Sequence, residues 1–161
     1  MTQPSIEPGT YAHRFQGNAL DRNETCYYLA GLGIMNITKD GQKYKITGNQ
    51  ESVNLPFRFN HDPKEEVVTN RSLELTGIIT WDDHKKLWNA TITFSYTEAS
   101  YPDDDVDKGN RALEGTFVFT KTGAKGQYWV MATGLKITKG EKFLIPAEAV
   151  SGEVHRIGDL P

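Results

Sequence analysis

His13 sits between two aromatic residues in Tyr11-Ala12-His13-Arg14-Phe15, and the alternation of side chains along a strand puts Tyr11, His13 and Phe15 on one face. An imidazole among aromatic rings can orient a ligand or act as a general acid or base, because its charge changes near neutral pH. The same spacing suits a hydrogen-bonded histidine of an apolar core. Tyr44, Gln50, Ser52, Trp81 and Tyr96 fall on the inner phase of their own segments. Small-molecule sites are mostly apolar with a few convergent polar groups, so the candidate ligand-binding residues are His13, Tyr11, Tyr44, Gln50, Trp81 and Tyr96. Tyrosine and tryptophan also fill barrel interiors for packing alone, with their polar ends near the rims.

Other chemistries find little support. His61, His84 and His155 give no HxH or HxxxH spacing, which a zinc site would need. In the loop DDDVDKGNRALE, Asp103, Asp105, Asp107 and Glu114 occupy places 1, 3, 5 and 12 of a calcium-loop pattern. Lys108 stands where that loop needs glycine, and the flanks read as strands instead of helices, so a solvated acidic hairpin loop is expected. Gly-x-Ser-x-Gly is absent and Cys26 has no identifiable histidine partner. Gly31-Leu32-Gly33 lies in a strand pattern and lacks the third glycine of a phosphate-binding loop. No catalytic residue, metal or cofactor is assigned.

The elements that must position these residues are strands. Alternating runs at 9–16, 28–38, 43–55, 72–81, 87–97, 112–121, 127–138 and 150–157 are separated by turn signals, Asp40-Gly41 being a strong one for a hairpin. Helical periodicity is confined to a short stretch around 141–149, which Pro146 interrupts. Sequential antiparallel strands joined by short turns tend to close on themselves, since closure removes exposed edges. The expected fold is all-β, a single antiparallel up-and-down barrel of about eight strands. It should span 1–161 as one domain, with 1–8 a flexible N-terminal arm.

Glycine recurs inside these strands, in Ile46-Thr47-Gly48, Leu75-Thr76-Gly77, Leu113-Glu114-Gly115, Ala132-Thr133-Gly134 and Val150-Ser151-Gly152. Gly48, Gly77, Gly115 and Gly152 share phase with inward residues, where glycine lets a closing sheet bend. Gly134 lies in a strand with apolar residues on both faces, which leaves its phase open. With Gly9-Thr10-Tyr11 opening the first strand, the pattern resembles the calycin barrels, lipocalins and avidin-like proteins, which start with Gly-x-Trp; here Tyr11 replaces the tryptophan. The Leu-Thr-Gly and Ile-Thr-Gly strand centres look like those of avidin relatives, although no biotin-contacting residue is carried over. Allene-oxide-cyclase-like and dirigent-like barrels share the broad pattern.

The resemblance covers architecture, and the inner-face residues point first to a non-enzymatic barrel that holds a small, largely apolar ligand, with one or two of His13, Gln50 and Tyr96 fixing its orientation. A cyclase or isomerase using His13 as acid or base is the alternative, and an assembly module forming a homo-oligomer through its barrel wall is a third reading. A net charge of −3 over 161 residues offers no footprint for nucleic acid. No apolar run is long enough for a membrane-spanning helix, and MTQPSIEPG lacks a basic stretch followed by an apolar one. With a lone Cys26 as well, a cytoplasmic location is expected. The sequons at Asn23, Asn36, Asn70 and Asn89 then read as by-products of a threonine-rich β chain.

Overall fold

The structure, a computed structural model, describes residues 4–21, 26–57, 69–96, 112–137, 143–144 and 150–161. Its strands are β1 (Gly9–Asp21), β2 (Cys26–Asp40), β3 (Lys43–Phe57), β4 (Thr69–Asp82), β5 (Leu87–Tyr96), β6 (Ala112–Lys121), β7 (Gln127–Ile137), β8 (Phe143–Leu144) and β9 (Val150–Gly158). Each pairs antiparallel with the next from β1 to β7, β7 then pairs with β9, and β9 returns to β1. The sheet is thus one closed up-and-down barrel of eight strands, with the two-residue β8 attached beside the end of β1.

No helix occurs among the described residues. The stretch around 141–149 differs from its weak helical pattern where it is described: Phe143 and Leu144 pair with Asp21 and Leu20 of β1. A sheet ladder satisfies their backbone groups, which a helix broken at Pro146 would not. Among the described residues no helix is long and apolar enough to cross a membrane.

One end of the barrel carries the short turns at 41–42, 83–86 and 122–126. Gly41 opens the first with φ +64°, which glycine adopts without steric cost. Asp82 organises the second, its Oδ1 accepting the backbone N–H groups of His84 and Lys85 at 3.0 Å each. The connections 22–25, 58–68, 97–111 and 138–142 lie outside the described residues, as do 145–149. The acidic cluster Asp103, Asp105 and Asp107 therefore falls outside them too, as does His61, whereas Glu114 sits in β6.

At the turn end, residues 4–8 cross the mouth of the barrel. Ile6 is 1% exposed, and its N–H donates to the Tyr44 hydroxyl at 3.0 Å. The Tyr11 hydroxyl donates to the Glu7 carbonyl, and Arg156 Nε donates to the Pro8 carbonyl at 3.1 Å. The arm expected from 1–8 is, over its described part, anchored by an apolar side chain and backbone hydrogen bonds.

Inside, large and small residues alternate around the wall. Met35 faces Gly48, which faces Leu75; Ile46 faces Gly77, which faces Ile92, which faces Gly115. At Gly152 the approach is very close: an added Cβ would lie 2.0 Å from the Arg14 carbonyl oxygen and 2.5 Å from Phe15 Cδ1. Gly134 behaves differently because Thr133 is an extra residue in β7, opposite the Thr116–Phe117 step of β6. Beyond this bulge Gly134 pairs with the exposed Thr116 and so lies on the outer face.

Gly152→Ala should therefore cost about 3 kcal/mol, the upper part of the range for overpacking, because backbone must move. Gly158→Ala, where an added Cβ meets nothing within 4 Å, should stay within about 0.5 kcal/mol of the parent. Urea unfolding of the two variants checks this, and equal midpoints would contradict the packing described.

Candidate ligand site

The inner phase of β1 and β3 brings His13 and Gln50 together across β2. In register, His13 faces Gly33 and Gly33 faces Gln50, while Phe15 faces Gly31 and Gly31 faces Ser52. His13 Nε2 lies 3.1 Å from Gln50 Oε1, and Gln50 Nε2 donates to Ser52 Oγ at 2.6 Å. All three side chains are buried, and they are the buried polar residues of the described interior. Gly31 makes the crossing feasible, since an added Cβ there would lie 2.3 Å from Gln50 Nε2. Any larger residue would push the amide off the wall and out of reach of β1.

The polarity of this chain is fixed by its middle member. In this orientation the Gln50 amide nitrogen donates to Ser52 and its oxygen faces His13, so neutral His13 carries its proton on Nε2. Nδ1 is then a bare lone pair. It is buried and has no hydrogen-bond partner among the described residues. Burial lowers the His13 pKa from 6.5 to about 4, against the weaker opposing pull of the Gln50 hydrogen bond. At neutral pH the ring is therefore uncharged.

Aromatic rings complete the setting. The His13 and Phe15 ring centroids are 5.2 Å apart, Phe15 stacks on Phe117 at 5.6 Å, and Phe94 meets Phe15 edge-on at 6.1 Å. In such surroundings an isolated acceptor gains little from solvent and much from a directed partner.

The other candidates lie elsewhere. The Tyr11 and Tyr44 hydroxyls are bonded to the chain at 6–7, at the turn end. Burial raises the pKa of Tyr11 and also of Tyr128, whose hydroxyl joins the same cluster, so both stay protonated. Half-buried Trp81 packs on Trp88 with ring centroids 5.1 Å apart, and its Nε1 donates to Asp83 at 3.3 Å. Tyr96 belongs to β5 and pairs with Leu73, which pairs with Gln50, but its side chain is not among those described. His84 is exposed in its turn, and His155 lies on the outer wall with Nε2 3.0 Å from Glu153. Among the described residues no three His, Cys, Asp or Glu side chains gather as a metal set.

Sequence reasoning placed Ser52 on the inner face without giving it a role in the site. It treated Gly31-Leu32-Gly33 only as a failed phosphate loop. The signal that finds Gly31 is its phase with Met35 and Ile37, which puts it on the wall between His13 and Gln50.

No family model, curated protein or solved structure matches the chain. What the site does follows from its own chemistry.

The depressed pKa has a consequence for stability. Between pH 6.5 and about 4 the unfolded chain binds a proton at residue 13 that the folded chain does not, so folding weakens as pH falls through that window. The loss should approach the order of 3 kcal/mol by pH 4. His13→Gln, which cannot titrate, should remove that part of the slope. Parallel stability-against-pH curves for the two proteins would show instead that His13 titrates alike when folded and unfolded.

Proposed function

We propose that the protein is a non-enzymatic receptor for a small, largely apolar molecule held inside the barrel. The observation that carries this reading is the buried Nδ1 of His13, an acceptor with no partner among the described residues at the end of a polar chain in an aromatic interior. Leaving such a group unsatisfied costs roughly 1–3 kcal/mol, and a bound molecule is a natural source of the missing bond. Phe15, Phe94 and Phe117 would supply the apolar contacts.

A cyclase or isomerase role draws less support. The partner of His13 is an amide, and a ring with a pKa of about 4 is a weak base at neutral pH. The closed eight-stranded meander, opened by Gly9-Thr10-Tyr11, supports placing the protein with calycin-like binding barrels. The lone Cys26 supports a cytoplasmic location.

Native mass spectrometry of freshly purified protein should show a retained molecule that denaturation releases. His13→Ala should lose it, or bind it at least tenfold more weakly, while keeping the parent's β-sheet circular dichroism. Protein that carries nothing, together with a His13→Ala variant that fails to fold, would make His13 a packing residue.

A further inference from the structure

The geometry of His13 also selects the chemical class of the ligand, an inference that rests on the receptor reading. We infer that the ligand offers an uncharged hydrogen-bond donor, an O–H or N–H on an apolar body, to Nδ1 of His13. The site would accordingly take neutral alcohols, phenols or amides, and refuse carboxylates, ammonium ions and molecules whose only polar groups are acceptors.

Three observations converge on this. First, Gln50 turns its amide nitrogen to Ser52 and its oxygen to His13, an orientation that puts the ring proton on Nε2 and leaves Nδ1 an acceptor. An ether or ketone oxygen placed there would set lone pair against lone pair. Second, the buried polar residues of the described interior are His13, Gln50 and Ser52, with no charged side chain among them. A carboxylate or ammonium group would enter without a counter-charge, at a cost that far exceeds one hydrogen bond. Third, the Ser52 hydroxyl accepts from Gln50 and keeps its own hydrogen for donation. The Ser52 hydrogen thus gives the chain a donor at the end opposite the Nδ1 acceptor, available to a second polar group of a ligand.

Matched probes test the inference: octanol, octyl methyl ether, octanoate and octylammonium, with the corresponding naphthyl series as a second apolar body. Isothermal titration calorimetry on the full chain should give an alcohol about tenfold tighter than its ether, the worth of one hydrogen bond in a dry site, with neither ion binding. His13→Phe should bind alcohol and ether equally. Should that variant fold poorly, Gln50→Leu keeps His13 but frees its tautomer, and should narrow the alcohol preference. Wild-type protein that binds ether or octanoate as tightly as octanol overturns the assignment of ligand class while leaving a receptor. If no probe of either series binds and nothing is retained in native mass spectra, the receptor reading fails and this inference falls with it.

Discussion

Closure of the sheet through the β9–β1 ladder is the constraint on which the rest of the structure depends. Once β9 returns to β1, every inward residue shares one enclosed space, and its size is set by how tightly the wall curves. Gly152 lies on that seam, opposite Phe15, where no side chain could stand between the strands. The glycine allows the approach and the phenyl ring fills the room it leaves. The other inward glycines repeat the arrangement beside Met35, Ile46 and Ile92. A closed wall also has no edge to offer, so the interior and the mouths are where its polar chemistry must lie.

Enclosure gives the two ends different characters. At the turn end, Ile6 fills the mouth and the hydroxyls of Tyr11 and Tyr44 are bonded to the chain beside it. Those two hydroxyls are matched by backbone and help to hold the barrel shut, while the buried Nε1 of Trp88 near them has no partner among the described residues. Further along β1 and β3, His13, Gln50 and Ser52 form a chain whose last acceptor has no partner among the described residues. Gly31 belongs to this second region, because its missing side chain is what lets Gln50 span from one strand to the next but one. The packing of the wall and the polar chain thus use the same device, a glycine facing a large neighbour.

Much of the fold was legible in the sequence, since period-two alternation and turn residues are local signals. Ala112–Lys121 has the bounds that its alternation marks, and Asp40-Gly41 marks a true hairpin. Where the pattern failed, the cause was local geometry. The bulge at Thr133 shifts the phase of β7 midway, which is why Gly134 could not be assigned a face. Phe143 and Leu144 are too short a strand to show a period at all. For the site, phase alone found His13 and Gln50, yet it could not separate them from Tyr11, Tyr44 and Trp81, which share the inner face at another height. Height along the barrel depends on strand register, and register is a property of pairs of strands.

The central claim is that His13 is an uncharged acceptor, with its proton on Nε2 and Nδ1 bare. Long-range proton–nitrogen NMR correlation of the histidine rings in ligand-free protein at neutral pH reads this directly. The account predicts a neutral Nε2–H tautomer for His13 that persists well below pH 6.5. A charged ring at neutral pH, or a proton on Nδ1, would contradict it.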